Sequence, residues 1–222
     1  MYSKLLKILI IVFFLTGSLY GKTGSSFSFT GGIALPNDEV TNIFNSKTIS
    51  STDTNNPFLS FNRPDMSIGY TISAKISFPL SENAFFFGGF GLIRFREGQY
   101  DLYNESNDES RGYLLAKTSI YPINAGVQYY FLNDILSLYG IGNLSYNFIA
   151  NSINYKNSKS IIELSNSPND SRIGYTLGLG LEVPFKLFSV IVETKYSELN
   201  YIGKSSSENT KSVIQIEAGF KF

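Results

Sequence analysis

Apolar residues occupy every second position in eight segments of the chain, and small or polar residues fill most of the places between them. The clearest segment is 172–185, where apolar side chains from Ile173 to Phe185 alternate mainly with glycine, Thr176 and Glu182. A period of two is that of a β-strand, whose successive side chains point to opposite faces. The pattern predicts strands at 27–35, 67–78, 85–96, 114–131, 136–148, 172–185, 188–196 and 214–222.

The fourth of these segments contains a change of phase. Leu114 and Ile120 fall on the opposite parity from Ile123 and the apolar residues after it. Pro122 lies at the change, and proline has no N–H to give to a strand ladder. We therefore predict a β-bulge at Tyr121 and Pro122, which would bring both halves onto one face.

The connections between the segments alternate in length. Those at 79–83, 132–135 and 184–187 are short, whereas longer stretches rich in Ser, Asn and Asp separate the other segments, at 37–65, 98–111, 151–171 and 203–210. Short turns on one rim and long loops on the other are typical of an up-and-down transmembrane barrel. The sequence predicts an all-β, eight-stranded antiparallel barrel of this kind.

The N-terminus has the zones of a secretory signal. Lys4 and Lys7 precede an uncharged apolar run from Ile8 to Leu15, and small residues follow it. The run is too short to span a bilayer unaided. We predict a cleavable signal peptide at 1–21 and one barrel domain at 22–222; an uncleaved anchor helix is the alternative.

Alternation alone does not decide whether the apolar faces point outward to lipid or inward to a carried ligand. Aromatic residues lie near the predicted strand ends, as they do in barrels whose two aromatic belts meet the membrane interfaces. The lipid-facing arrangement is therefore favoured. A periplasmic lipocalin-like carrier is the alternative, although the chain contains no Trp and so lacks the N-terminal Gly-x-Trp pattern of that family.

The composition excludes several kinds of chemistry. The chain has no Cys and no His, so thiolate catalysis, Ser-His nucleophiles and the commonest metal ligands are excluded. Its 18 basic and 18 acidic residues give no basic field for nucleic acid. We expect a protein that is not an enzyme, with no catalytic residues, no metal, no cofactor and no nucleic-acid partner.

Several charged residues fall on the strand faces that the apolar pattern assigns to the barrel interior. One hypothesis is an ion path or a binding site in the lumen. The other, which we favour, is a network of paired charges that fills the interior, because an unpaired buried charge strongly destabilises a fold. The predicted ionic network consists of Lys75, Arg94, Arg96, Glu182, Glu193, Lys195 and Glu217.

The last strand ends in an aromatic residue, with Ile216, Ala218 and Phe220 at alternate positions before Phe222. In this feature and in its architecture the chain resembles the small outer-membrane β-barrel proteins, the class that includes the OmpA transmembrane domain and OmpX-like barrels. The resemblance implies a bacterial outer-membrane location, outer-membrane lipid as the surroundings, and recognition of these four residues as an assembly signal by the barrel-assembly machinery.

Within that class, we predict a structural or surface-interaction role through the long extracellular loops, toward an extracellular ligand that the sequence does not identify. A channel for small solutes or hydrophobic compounds is the main alternative. A lipid-modifying enzyme is a further possibility, but no residue spacing in the chain supports it.

Overall fold

The computed structural model describes residues 24–37, 40, 68–96, 98–104, 109–133, 135–156, 161–166, 170–204 and 208–222. The predicted signal peptide and most of the first long connection lie outside these ranges. Among the described residues, no helix is long and apolar enough to cross a membrane.

The described residues form ten β-strands. They are β1 (Ser26–Pro36), β2 (Gly69–Pro79), β3 (Ala84–Arg94), β4 (Gly98–Asn104), β5 (Glu109–Asn133), β6 (Ser137–Lys156), β7 (Ile161–Asn166), β8 (Asp170–Pro184), β9 (Ser189–Ile202) and β10 (Ser212–Lys221).

Eight of these strands close into one antiparallel barrel. Around the ring the order is β1, β2, β3, β5, β6, β8, β9 and β10, and β10 pairs with β1 again. The closing register matches Ile33 with Ile216 and Phe29 with Phe220. Every ring strand thus has a neighbour on both sides, which removes the unpaired backbone groups of an open edge. The eight-stranded antiparallel barrel predicted from the alternation is confirmed.

β4 and β7 lie outside the ring. β4 pairs with the first part of β5, β7 pairs with the last part of β6, and β5 and β6 continue side by side to the pair Tyr113 and Lys156. These four segments form a sheet extension at the rim where the long connections lie. The prediction that 98–111 and 151–171 are loops throughout is therefore wrong in part. Backbone pairing continues from the barrel strands into residues that lack the clear alternation of a strand with one apolar face.

The predicted bulge is absent, because β5 passes through Tyr121 and Pro122 without a shift. Tyr121 pairs with Phe148 and Pro122 with Asn147 in one continuous register with β6. On its other side, β5 makes no ladder pairs with β3 at Tyr121 and Pro122. The pairs at Ile123 and at Ile120 nevertheless have the same register. Proline is accommodated by a local gap in one ladder. Ile120 is consequently buried inside the barrel rather than facing outward.

The outer wall is apolar, which confirms that the apolar strand faces point outward. Phe90, Leu144 and Leu177 are 67%, 65% and 58% exposed, respectively. Exposed aromatic residues ring both ends of this wall. Towards the short turns they include Phe78, Phe86, Tyr129, Phe131, Phe185 and Phe220, and towards the long connections Tyr70, Tyr121, Tyr146, Phe148, Tyr196 and Tyr201.

Candidate functional site: the barrel interior

Four charged side chains form an alternating chain across the middle of the interior. Lys75 on β2 donates to Glu193 on β9. Lys195, two residues further along β9, lies 3.4 Å from Glu193 and 2.6 Å from Glu217 on β10. Each lysine contacts a carboxylate and the four formal charges cancel, which is the condition under which buried charges are tolerated. We call these four residues the charged layer.

The strand register brings the two carboxylates of this layer side by side. Glu193 and Glu217 are direct cross-strand partners on β9 and β10, and both are almost fully buried. Like charges opposite each other destabilise a sheet. Lys195 contacts both carboxylates, and its positive charge offsets their repulsion.

Neutral donors complete the hydrogen bonding of the two carboxylates. Tyr139 on β6 donates its hydroxyl to Glu193 at 2.8 Å, and Thr71 on β2 donates to Glu217 at 2.9 Å. Tyr139 reaches the middle of the barrel across Gly180, its register partner on β8. A Cβ atom on Gly180 would lie 2.3 Å from the tyrosine ring, so only glycine leaves room for this side chain.

A second ionic group lies closer to the short turns. Lys221 on β10 is 3.0 Å from Glu182 on β8, and Tyr130 on β5 donates to the same carboxylate at 2.6 Å. The ammonium group also lies over the rings of Phe85 and Tyr130, at 5.6 and 5.2 Å from their centroids. This end of the interior is filled by a cluster of buried, largely aromatic residues: Phe85, Phe87, Tyr130, Tyr139 and Ile141.

The opposite end of the interior is closed by an apolar cluster. Its buried residues come from β1, β3, β5, β6, β9 and β10, together with Phe95 and Val40 in the connections. They are Ala34, Val40, Ile93, Phe95, Ile120, Ile149, Leu199 and Val213. The described interior therefore has three layers: aromatic towards the short turns, charged in the middle, and apolar towards the long connections.

A small cavity lies between the aromatic and the apolar cluster, beside Lys75 and Lys195, with a volume of about 40 Å³. Phe87 and Ile141 line it on one side and Ile93 and Leu199 on the other. Three buried polar atoms without a hydrogen-bond partner belong to residues in its wall: Ser28 Oγ, Asn143 Oδ1 and Asn147 Oδ1. Its polarity and size suit a few ordered waters.

The structure places five of the seven predicted ionic residues inside the barrel, in two separate groups. Lys75, Glu193, Lys195 and Glu217 belong to the charged layer, and Glu182 belongs to the group with Lys221.

Arg94 and Arg96 do not join either group, and their predicted inward orientation is wrong. Arg94 is two strand repeats beyond the exposed Phe90 and pairs with the exposed Tyr70, so it lies on the outer wall. Arg96 is exposed and follows the buried Phe95. Both faces of β3 carry large apolar residues, so alternation within this strand could not identify the interior face.

Sequence reasoning missed Lys221, Tyr130 and Tyr139 as members of the interior groups. Lys221 has the same strand parity as Glu217, and this parity was the available signal. The two tyrosines share strand faces with polar residues, but nothing local distinguishes them from the tyrosines on the outer wall.

The predicted assembly residues lie along the closing strand. Ile216 and Phe220 are exposed on the outer wall, and Ala218 pairs with Gly31. Phe222 exchanges two backbone hydrogen bonds with Phe27, at 2.8 and 3.0 Å. These contacts extend the pairing of β1 and β10 to the last residue of the chain.

Within the described ranges, no group of three or more His, Cys, Asp or Glu residues is placed to hold a metal ion. Every interior carboxylate named above contacts a lysine. The arrangement resembles a neutral, hydrogen-bonded filling more than a reactive centre.

No family model matches the chain, and no curated protein matches it in sequence. Solved structures do match it in fold. Neisserial surface protein A (NspA) shares 13% sequence identity, with 89% of this chain and 96% of that chain covered and a TM-score of 0.53. Ail, the attachment invasion locus protein of Yersinia pestis, shares 15% identity over 90% and 99% of the two chains, with a TM-score of 0.44.

The outer membrane protein OprG from Pseudomonas aeruginosa shares 15% identity over 91% of this chain and 98% of that chain, with a TM-score of 0.40. The match to NspA carries the fold assignment. This chain has the fold of the small eight-stranded outer-membrane β-barrels, as the sequence resemblance implied, and that prediction is confirmed.

Proposed function

We propose that this protein is a non-enzymatic, sealed barrel of the bacterial outer membrane that acts as a rigid base for a surface-exposed sheet. The observation that carries the proposal is a closed barrel with an apolar outer wall, a filled interior and a sheet extension at one rim only. The role follows from this asymmetry: the wall anchors the protein, and the extension with its connections offers the surface for contact.

The height of the apolar wall fits a membrane. On β8 the exposed outer face runs from Ile173 to Val183. At roughly 3.3 Å per residue and a tilt of about 40°, this stretch rises roughly 25 Å. That is the height of the apolar band of outer-membrane barrels, so outer-membrane lipid is the proposed surroundings.

The filled interior favours a structural role over a channel. The charged layer and the group of Lys221 and Glu182 are proposed to act as an internal brace, which ties β2, β8, β9 and β10 together across the barrel. Buried charges that are paired and hydrogen-bonded in this way can rigidify a fold. Aromatic and apolar clusters also occupy the two ends of the described interior, which leaves the cavity beside Lys75 small.

The sheet extension is proposed to lie outside the cell, where it would contact host, matrix or phage components. Both chain ends of the barrel lie at the short-turn rim, where Phe27 meets Phe222. In barrels of this type the short turns face the periplasm. The extension then projects β4 and β7 from the opposite rim, towards the exterior.

Surface labelling tests this orientation directly, because the chain has no native cysteine. We expect Asn209→Cys, in the connection before β10, to react with a membrane-impermeant maleimide on intact cells. The matched variant Glu82→Cys, in the short turn after β2, should react only after the outer membrane is broken. Both positions are exposed. Labelling of Glu82→Cys but not Asn209→Cys on intact cells would reverse the topology, and recovery in the soluble periplasm would favour the lipocalin-like carrier.

A shortened variant tests the contact role. Replacing 99–115 with an Asn-Gly turn would remove β4 and its partner segment while leaving the barrel ring intact. Cells with the shortened protein should adhere less to wells coated with extracellular matrix than cells with the full chain. Equal adherence, with equal amounts of folded barrel in the membrane, would argue against a role for the extension in binding matrix proteins.

A further inference from the structure

We propose that the short-turn rim of the barrel is buried in the periplasmic leaflet of the membrane, where the tips of its three turns contact phospholipid acyl chains. The tips are Leu80, Ile135 and Leu187, one in each short turn, and we call them the apolar tips. The inference rests on the proposed function, because it requires the outer wall to face lipid and the short turns to face the periplasm.

The apolar tips depart from ordinary turn chemistry. Surface turns are usually built from Gly, Pro, Asn, Asp and Ser, which suit both the backbone geometry and water. Leu80, Ile135 and Leu187 are instead 63%, 89% and 76% exposed. Removing such side chains from water is favourable, so the tips call for an apolar cover.

The tips belong to a larger apolar surface. Exposed apolar side chains lie beside them in all three turns, namely Phe78, Leu132, Leu136 and Phe185. Single surface hydrophobic residues are common in proteins, whereas a contiguous patch marks an interaction surface. This patch continues the apolar face of the outer wall. The lipid that covers the wall is therefore the occupant that the geometry provides.

A β-bulge in β5 adds to this surface. In the ladder with β6, Tyr130 pairs with Tyr139 and Leu132 pairs with Leu138, which leaves Phe131 as an extra residue. Successive strand residues normally face opposite sides, yet Phe131 and Leu132 are both exposed. The bulge thus places a second apolar side chain on the outside of the rim, where a regular strand would direct it into the interior.

The two aromatic rings of the wall differ in a way that locates the membrane. Towards the long connections the ring is mostly tyrosine, whose hydroxyl suits the boundary between lipid and water. Towards the short turns it is mostly phenylalanine, and Tyr129 is the exception among the described residues of this ring. Phenylalanine has no polar atom to keep in water. The phenylalanine ring therefore belongs inside the apolar layer, and the boundary lies beyond it, at the turns.

The height of the wall agrees with this placement. On β2, Phe78 lies roughly 20 Å below the exposed Tyr70, at roughly 3.3 Å per residue and a tilt of about 40°. The apolar band of outer-membrane barrels is about 25 Å tall, and measured from Tyr70 this height reaches Leu80. A hydrocarbon layer of about 30 Å would cover the tips completely.

The polar residues of the turns are compatible with a buried rim. In the first turn, Leu80 is followed by Ser81, Glu82 and Asn83, all exposed. We expect Glu82 to reach the headgroups and water while Leu80 contacts acyl chains. Lys186 can lay its stem along apolar surface and extend its ammonium group to water. Asp134, in the second turn, lies outside the described residues.

Bimane fluorescence in phospholipid nanodiscs tests the proposal, because both rims of the barrel are then open to the buffer. The full chain has no native cysteine, so bimane is attached singly to Leu80→Cys, Ile135→Cys or Leu187→Cys. Each tip label should be quenched more strongly by phosphatidylcholine brominated on its acyl chains than by iodide in the buffer. Glu82→Cys, in the same turn as Leu80, should show the reverse order. Phe90→Cys, in the middle of the wall, should resemble the tips.

The failure of the proposal and the failure of the proposed function give different results. Stronger quenching of the tip labels by iodide, with lipid quenching of Phe90→Cys, would overturn the proposal and leave the tips free for a periplasmic protein. No lipid quenching at Phe90→Cys would contradict the membrane-facing wall and, with it, the proposed function. Every variant must first show the boiling-dependent shift in gel mobility, so that a misfolded protein is not scored.

Bilayer thickness provides a second measurement, which needs no label. The urea midpoint of unfolding is compared in vesicles of phosphatidylcholines with increasing acyl-chain length. Leu80→Ser, Ile135→Ser and Leu187→Ser combined shorten the apolar height, so the thickness of maximal stability should shift by about 5 Å towards thinner bilayers. Leu144→Ser, in the middle of the wall, should lower the midpoint at every thickness without moving the optimum. An unchanged optimum in the combined variant would contradict burial of the tips in acyl chains.

Discussion

At the scale of single residues, the interior depends on pairing rather than on any one side chain. The buried carboxylate of Glu193 contacts the ammonium groups of Lys75 and Lys195 and accepts a hydrogen bond from the Tyr139 hydroxyl. Removing one partner from such a group costs more than removing a whole pair, because a charge is then left without compensation. The charged layer is therefore the place where a small substitution should have a large effect on stability.

We predict that Glu193→Leu lowers the free energy of unfolding by about 3–5 kcal/mol. The substitution removes the carboxylate that Lys75 contacts and leaves the Tyr139 hydroxyl without its acceptor. Urea unfolding of the protein folded in lipid vesicles, followed by the boiling-dependent gel shift, would measure the loss.

The matched comparison for this prediction is Lys75→Met combined with Glu193→Gln. This double variant removes both charges and keeps an acceptor for Tyr139, so it should be closer in stability to the unaltered protein than Glu193→Leu is. Glu82→Gln, in an exposed turn, should change stability by less than about 0.5 kcal/mol. A double variant that is less stable than Glu193→Leu would contradict the pairing argument.

At the scale of elements, closure of the barrel depends on the two strands at the chain ends of the barrel. β1 and β10 pair from Pro36 and Val213 to Ser28 and Lys221, and Phe222 adds two hydrogen bonds with Phe27. These bonds link segments that are far apart in sequence. Forming them therefore carries the loop-closure entropy of a contact between the two ends of the barrel.

We predict that deletion of Phe222 lowers barrel assembly in cells much more than it lowers the stability of the purified protein. Loss of two backbone hydrogen bonds should cost only about 1–3 kcal/mol in purified, refolded protein. If the last strand is read as an assembly signal, the folded fraction in cells should fall several-fold. The gel shift of membrane fractions and of refolded protein gives both quantities.

Phe131→Ala provides the control, because Phe131 is an exposed aromatic residue at the same rim but in β5. It should leave assembly in cells nearly unchanged. An equal loss of folded barrel for both variants would mean that rim aromatics act through lipid contact in general, and that the terminal strand carries no special signal.

At the scale of the whole molecule, the barrel has a filled interior and two different rims, one with short turns and one with long connections and the sheet extension. Apolar side chains fill the interior towards the long connections, and aromatic side chains fill it towards the short turns. An eight-stranded barrel is just wide enough for side chains to fill it. This filled interior is the basis for proposing anchoring and display rather than transport.

We predict that the purified protein in planar lipid bilayers produces no stable current steps above a detergent-only baseline. The physical reason is that buried side chains fill both ends of the described interior, which would leave ions no open path. Reproducible, ion-selective steps would instead support the channel alternative, with the cavity beside Lys75 and Lys195 as the starting point for its pathway.

The sequence by itself determined the eight strands of the barrel ring, the faces of those with one clearly apolar side, and the alternation of short and long connections. Side-chain direction in a strand is a local property with a period of two, so β8 and β10 could be read residue by residue. The inward placement of Lys75, Glu193, Lys195 and Glu217 followed from the same parity, because β2, β9 and β10 each have one clearly apolar face. Polar connections likewise mark their own positions along the chain.

Only the tertiary structure decided what depends on pairing between distant strands. The outward position of Arg94 is set by its register with Tyr70, since β3 is apolar on both faces. Lys221 and Glu182 meet beside the rings of Tyr130 and Phe85, which belong to other strands. The sheet extension likewise forms where β5 and β6 continue side by side. Parity within one strand carries no information about which strand lies opposite, and these contacts arise only when the barrel closes.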